Sequence, residues 1–413
     1  MRVLIINTSE RIGGAAIAAN RLMEALKKNG VKAKMLVRDK QTDHLTVVSV
    51  GSSLLLPLKF VWERFIIFIA NMLSKKNLFQ VDIANAGTDV TNLAEFERAD
   101  VIHLHWVNQG FLSLNNINKI MHSGKPVVIT MHDQWYFTGI CHYSDCCDKY
   151  KQMCENCMLM KGKLLGDIAK KTFIRKQKIY SDAKLTFVGC SKWMADLAKE
   201  SKLTQGHKVI NIPNAINAEL FHPMDKSAAK EEFGFPKDKR LILFSCQKIT
   251  DERKGFKYFV EALNIIKEAN PELASSIEIA VVGGKSDEVT KMVPFNIITV
   301  PYISEPEKMV ALYNAMDIYV TPSLQDNLPN TIMESLACGI PCVGFNIGGI
   351  PEMIDHKHNG YVAEYKDAKD FANGIVWTLT QDYELLSSNA RNKVIQEYCE
   401  EAVAKKYIEA YES

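Results

Sequence analysis

No stretch of this chain is apolar and uncharged for the ~18 residues that a membrane-spanning helix needs. The most apolar region, LLLPLKFVWERFIIFIANML from Leu54 to Leu73, is interrupted by Lys59, Glu63 and Arg64. A large excess of one charge is also missing: 50 Lys and Arg face 48 Asp and Glu over 413 residues, a net charge of +2. A general nucleic-acid binder carries a basic surplus, so no nucleic-acid partner is expected. The start, MRVLIINTSERIGG, has neither the basic opening nor the long apolar core and small-residue cleavage site of a secretory signal. Solenoid repeats and low-complexity tracts are absent. Cys190, Cys246, Cys338 and Cys342 are scattered among apolar or small residues, as free thiols are in a reducing compartment. The expectation is a cytoplasmic protein.

What is present is a globular composition, 47% hydrophobic and 24% charged, over a length that suits two or three domains. Strand and helix patterns alternate. VLIIN (Val3 to Asn7) is a continuous apolar run, as in a strand buried on both faces. A Gly-rich turn, a helix over Ala15 to Asn29 and a stop at Gly30 follow it. KAKMLV, ADVIHLHW, KPVVITMH and KLTFVGCS continue the series, and a second series runs from RLILFSCQ to PCVGFN. The pattern predicts an α/β protein of two doubly wound, Rossmann-like domains. The first spans 1–213, with a cysteine-rich insert at about 139–162, and the second spans 214–395. A helix over 396–413 is expected to cross back onto the first domain. Such folds bind ligands at the carboxyl ends of their strands.

The strongest local signal is TPSLQDNLPNTIMESLACGIPCVGFNIGGIPEMI, Thr321 to Ile354. A polar loop carries Asp326, and Pro329 precedes a helix over Asn330 to Ala337 that stops at Gly339. The helix start offers free N–H groups and a positive dipole end to a phosphate, with Asn330 and Thr331 as further donors. Glu334 lies one turn in, where a carboxylate can accept both hydroxyls of a ribose. Read without context, Asp326 and Glu334 are a turn residue and a solvated helix position. In QKITDERKGFKYFVEAL, Arg253 and Lys254 precede a helix. Cations there oppose the dipole unless an anion is bound, and the plain alternative is a solvated first turn.

These stretches resemble the donor-binding signature of retaining glycosyltransferases of the GT-B fold, in the large family four (group 1), including the colanic-acid and capsule type. The matching residues are Asp326 to Glu334, ACGIP and GGIPE, with Asp where the family usually has Glu. Asn327-Leu328-Pro329 replaces the usual Gly-Phe-Gly. The resemblance implies a UDP- or GDP-sugar bound between the two domains. Lys254 with Arg253 would hold its diphosphate, Lys248 standing where the family has Arg. Glu334 would hold the ribose and Asp326 the sugar. SERIGGAAIAANRLMEAL resembles the family's Gly-Gly-Ala loop, so Gly13 and Gly14 would let backbone approach the donor phosphate and the acceptor. His105 would sit beside the reacting carbon, with His132 at the end of the next strand; the plain alternative is a satisfied strand-end histidine. His103 lies deeper and reads as structural. The implied reaction keeps the sugar's configuration and needs no catalytic metal. The implied acceptor is a lipid-diphosphate-linked glycan in bacterial surface polysaccharide assembly. A nucleotide-sugar epimerase of the same fold, or a non-catalytic nucleotide-sugar-binding scaffold, is the alternative.

Two features stand outside that signature. GICHYSDCCDKYKQMCENC holds five cysteines, of which Cys141, Cys147, Cys154 and Cys157 have the spacing of a structural zinc site. Cys146 and His142 are weaker substitutes, and a group of free or redox-active thiols is the alternative. From Asp148 to Lys184 ten Lys or Arg stand against four acids. That excess fits either a solvated face or attraction to an anionic leaflet or lipid diphosphate. The Leu54–Leu73 region fits either an amphipathic helix packed on its own domain or one lying on a membrane, with Lys75 and Lys76 near headgroups. Peripheral contact with the inner face of the membrane is therefore among the expectations.

Overall fold

The computed structural model describes residues 1–51, 55–248, 251–284 and 292–412. They form two compact units. The first comprises Met1–Ala215 with Val403–Ser413, and the second Ile216–Ala402.

The first unit is built on a parallel sheet in the order β3-β2-β1-β4-β5-β6-β7. Its strands are β1 (Arg2–Ser9), β2 (Lys32–Asp39), β3 (Val47–Ser49), β4 (Val101–Leu104), β5 (Val127–Met131), β6 (Leu185–Gly189) and β7 (Lys208–Asn211). Val3, Leu4, Ile5 and Ile6 are all buried, as a strand covered by helices on both faces requires. The order reverses direction at β1/β4. Outside the carboxyl ends of those two strands lies the place where such a sheet takes a ligand.

The second unit carries β8 (Arg240–Lys248), β9 (Ile277–Gly284), β10 (Ile297–Val300), β11 (Ile318–Thr321), β12 (Cys342–Phe345) and β13 (Gly360–Ala363). Their order is β10-β9-β8-β11-β12-β13, again parallel, with the reversal at β8/β11. Phe244, Phe259, Ile279, Val320, Phe345 and Phe371 form the core on one face of this sheet.

The helix over Asn330–Ala337 has the bounds expected from the sequence. The chain's last stretch differs: a helix Tyr383–Glu397 ends, and a separate helix Glu400–Glu412 begins, where one element over 396–413 is expected. Ile216 N–H bonds to Tyr398 O at the break, which diverts the backbone there. The last helix buries Val403, Ala404, Tyr407 and Tyr411 in the core that also holds Val3, Ile5 and Val128, so it belongs to the first unit.

Candidate functional site

In the second unit the residues with chemistry gather at the β8/β11 reversal. β8 leads to a single 3-10 turn, Glu252–Lys254, and then to the helix Phe256–Ala269. Gly255 joins the two with φ of +64°. A Cβ there would stand 1.8 Å from Pro322 O, so only glycine lets this turn meet the loop after β11. Leu324 N–H to Arg253 O, 2.7 Å, closes the contact.

That contact brings Lys254 Nζ to 2.8 Å from Asp326 Oδ2. The Lys254 side chain keeps 35% of its surface exposed and Asp326 17%, so the pair borders solvent. The Asp326 carboxylate holds the Lys254 ammonium above the usual lysine range. Gly348, first of the two glycines in GGIPE, packs behind the loop: its φ is +60°, and a Cβ would meet Asp326 O at 1.8 Å.

The helix Asn330–Ala337 follows. Pro329 precedes it and no side chain caps its start. Thr331 Oγ1 accepts from Tyr319 OH at 2.8 Å. Glu334 is buried, and its Oε2 accepts from Tyr313 OH at 2.8 Å. Burial pushes the Tyr313 phenol up, so it remains a donor. Tyr313 and Tyr319 come from the helix Pro306–Asn314 and from β11, and sequence spacing gives no sign that they touch the motif.

Arg253, expected beside Lys254 on the diphosphate, holds an ion pair of its own. Its guanidinium forks onto Asp251, NH2 to Oδ2 2.8 Å and Nε to Oδ1 3.1 Å, and the side chain is 49% exposed. Asp251 also caps the turn by accepting from Arg253 N–H. The two cations thus oppose no helix dipole, since an acid already offsets one of them. Lys248 ends β8, and its side chain lies outside the described residues.

In the first unit the β1/β4 reversal carries Gly13, His105 and their neighbours. Gly13 precedes the helix Gly14–Lys28 with φ of +90°, and a Cβ there would meet nothing within 4 Å. The turn needs glycine for its backbone and leaves space beside it. His105, directly after β4, is buried and hydrogen-bonded through Nδ1 to His132 Nε2 at 2.8 Å. Its Nε2 has no partner among the described residues. His103 is held at both ring nitrogens, by Tyr411 OH and Thr130 Oγ1, each 2.7 Å. It fastens the last helix to the sheet, as its deeper position suggests. Burial depresses all three imidazoles: His103 to about 3, His132 to about 4, and His105 well below the usual range. They are neutral at pH 7.

Asn108 was not apparent from sequence. It is buried, and neither its amide nitrogen nor its amide oxygen has a partner among the described residues. Its backbone oxygen accepts from Thr8 Oγ1, which fixes it beside the end of β1. Asp133 was missed as well. It accepts from Trp106 Nε1 at 2.8 Å and pairs with His142 Nδ1 at 2.7 Å. His142 therefore serves this network and not the cysteines.

The cysteine-rich segment is ordered without metal geometry. Cys141 is buried, and Cys154 Sγ accepts from Gly139 N–H at 3.2 Å. Lys176 lies over the Trp135 ring at 3.4 Å and donates to Trp135 O and Thr138 O. Burial lowers its ammonium to about 7. Burial also raises Cys141 to about 12 and Cys154 to about 11, so these thiols stay protonated at neutral pH. Among the described residues no group of three or more His, Cys, Asp or Glu is arranged to hold a metal. The thiols of the expected zinc set, Cys141, Cys147, Cys154 and Cys157, nevertheless lie near enough to act on one another electrostatically, and hydrogen bonds around Gly139 and Lys176 also hold the segment.

Comparisons with known proteins agree with both sheets. Residues 12–220, just over half the chain, match the family described as Glycosyltransferase Family 4, and residues 239–381 match Glycosyl transferases group 1. A D-inositol 3-phosphate glycosyltransferase of Stackebrandtia nassauensis is 26% identical over 179 residues, covering 41% of this chain and 40% of that protein. The UDP-Gal:alpha-D-GlcNAc-diphosphoundecaprenol alpha-1,3-galactosyltransferase of Escherichia coli is 27% identical over 198 residues, 46% of this chain and 50% of that protein. The chain thus spans about half the length of the curated relatives it matches, or less. In fold it is similar to sucrose-phosphate synthase from Thermosynechococcus elongatus, with a TM-score of 0.70 at 17% identity over 100% of this chain and 98% of that one. With two parallel Rossmann-like sheets and a family match over half its length, this chain belongs to glycosyltransferase family 4 and has the GT-B fold.

Proposed function

We propose that this protein is a retaining glycosyltransferase that moves a sugar from a UDP- or GDP-sugar to a lipid-diphosphate-linked glycan in bacterial surface polysaccharide assembly. The observation that carries the reading is the Lys254–Asp326 pair, 2.8 Å apart at the strand reversal and four residues before an uncapped helix start. A cation, the positive end of a helix and an acid converge there. Those are the partners of a diphosphate and of sugar hydroxyls.

In this reading the second unit binds the donor. Lys254 neutralises the diphosphate, most strongly as charge grows on the departing phosphate oxygen. Asn330 and Thr331 add hydrogen bonds at the helix start. Glu334, oriented by Tyr313, accepts from the ribose, and Asp326 accepts from the sugar. The bond from the anomeric carbon to the phosphate oxygen breaks as one to the acceptor oxygen forms. The acceptor's proton passes to the leaving phosphate. The first unit supplies the acceptor side through His105 Nε2, neutral and unpartnered among the described residues. Gly13 and Gly14 give backbone room there. The lipid-diphosphate class is favoured by the Escherichia coli relative, whose name carries that chemistry.

The test is to incubate the protein with UDP- and GDP-sugars and a synthetic polyprenyl-diphosphate-linked saccharide, and to follow products by mass spectrometry and NMR. The expected result is a glycosylated acceptor with the donor's anomeric configuration. An inverted product contradicts the stereochemistry. Epimerised donor formed without acceptor overturns the assignment in favour of an epimerase, and absence of turnover with every pair favours a scaffold.

A further inference from the structure

The helix Leu55–Ala70 is inside out. Its inward face carries ionisable side chains: Glu63 and Arg64 are buried, and Arg64 bonds to Asp82 at 2.9 Å and to the backbone oxygens of Leu78 and Val81. Its outward face carries Leu58, Val61, Trp62 and Phe65, spaced as one helical stripe. Trp62 is 53% exposed and Phe65 49%, with ring centroids 6.1 Å apart. Soluble helices turn such a stripe inward, and an exposed apolar patch marks a surface that another body covers.

The stripe continues beyond the helix. Met72 and Leu73 are exposed, each with φ of +56°, a left-handed conformation that bulky side chains rarely adopt. Met72 lies against Gly162, whose Cβ position is 2.2 Å from Met72 Cγ. Lys161 N–H bonds to Asn71 Oδ1 at 2.6 Å, so the cysteine-rich segment adjoins the stripe. It adds exposed Leu164 and Leu165.

Along the helix and the stretch that follows it, the exposed charge has one sign. Between residues 55 and 80 the only acid is Glu63, which is buried. Lys75, Lys76 and Lys161 are exposed, and none of them has an ion-pair partner among the described residues. An apolar stripe flanked by free ammonium groups complements a bilayer that carries anionic headgroups. A second protein chain would be expected to place carboxylates opposite those lysines, and this face offers none of its own for a two-fold copy.

We propose that the outward face of the helix Leu55–Ala70, with Met72, Leu73 and the adjoining Lys75, Lys76 and Lys161, docks the protein on an anionic lipid surface. Trp62 and Phe65 enter the headgroup region and the lysines meet lipid phosphates. No helix among the described residues is long and apolar enough to cross a membrane, so attachment here is by one face. The inference deepens the reading of a lipid-linked acceptor and draws its purpose from it. Docking requires no turnover, so the two fail separately.

The experiment is flotation of the full chain with vesicles of phosphatidylcholine mixed with phosphatidylglycerol, against phosphatidylcholine alone, at low and high salt. Binding is expected on the anionic vesicles, weaker on the neutral ones and weaker in salt. W62Q/F65Q should abolish it, and K75Q/K76Q should lower partitioning at least about tenfold. Both variants should keep the wild-type melting midpoint, because these side chains contact little protein. If the helix variant is unstable, Trp62 fluorescence in the wild type, quenched by brominated lipid and absent in W62F, reports the same insertion. Wild type left in the pellet, or floating equally with and without the stripe, overturns the proposal. So does self-association that W62Q/F65Q abolishes in a protein that ignores vesicles; the face is then a dimer interface.

Discussion

Asp326 Oδ2 and Lys254 Nζ, 72 residues apart in sequence, meet at 2.8 Å because Gly255 and Pro322 allow their two loops to touch. In the proposed function, an arriving diphosphate shares the ammonium and leaves the carboxylate to accept from a sugar hydroxyl. Replacing Lys254 by Ala should lower kcat/KM by about 10²–10³-fold, the scale for losing one group that stabilises developing negative charge. D326N should act mainly on kcat, with nucleotide affinity nearly kept. Steady-state kinetics on both variants, with UDP or GDP as competing ligand, separates the two roles.

Gly348 supports Asp326 from behind. G348A adds a methyl group 1.8 Å from Asp326 O in a backbone conformation with φ of +60°, so the loop must move. The expected cost is about 2–4 kcal/mol in urea denaturation, with donor binding lost at least in part. Wild-type stability and affinity would show that the loop is not fixed by this contact.

Tyr313 orients Glu334. Y313F removes one hydrogen bond to a carboxylate and leaves the core volume almost unchanged. Nucleotide affinity should weaken about 3–10-fold. Calorimetric titration with UDP and GDP checks this, and a matching loss for 2′-deoxy nucleotides in the wild type would tie it to the ribose.

The histidine cluster sets the acid limit of stability. His103, His105 and His132 stay neutral in the folded chain well below their unfolded value, so the unfolded state binds more protons once pH falls below about 6.5. Stability from these groups is present above that value and is lost toward about pH 4. Glu63 acts in the opposite sense. Burial, with Asp82 beside it, keeps its carboxyl protonated when folded, so the folded state holds one proton that the unfolded state releases above the usual carboxylate range. The net difference between pH 6 and 5 approaches two protons, or about 2–3 kcal/mol per pH unit. E63Q removes the opposing proton and should steepen the decline, whereas H132Q should flatten it. Denaturation midpoints across that window give both slopes.

Much of this was legible in sequence because the signals are local. Apolar runs such as VLIIN mark strands covered on both faces, and Pro329 with Gly339 brackets a helix at the bounds found in the structure. Gly13 is readable as a turn, whereas the close approaches that require glycine at 255 and 348 are not. What stayed hidden depends on contacts across the chain. Tyr313 and Tyr319 reach the motif through packing alone, and Asn108 is exceptional only because burial leaves its amide unpartnered. The fork of Arg253 onto Asp251, two residues away, was not foreseen, since the turn that folds them together precedes the helix and does not start it. The polarity of the helix Leu55–Ala70 was ambiguous, because Asp82 lies outside it in sequence and decides which face turns inward. The break near Tyr398 is silent in a continuous polar–apolar pattern; it coincides with the bond from Ile216 N–H to Tyr398 O, a contact across the chain.

In the proposed function the second unit grips an activated sugar through Lys254 and Glu334. The most direct measurement is calorimetric titration of the full chain with a panel of UDP- and GDP-sugars, repeated on K254A and E334A. One nucleotide sugar is expected to bind the wild type at micromolar concentration, with affinity at least about tenfold weaker in each variant. A panel in which nothing binds, or a nucleotide sugar that binds both variants as it binds the wild type, contradicts it.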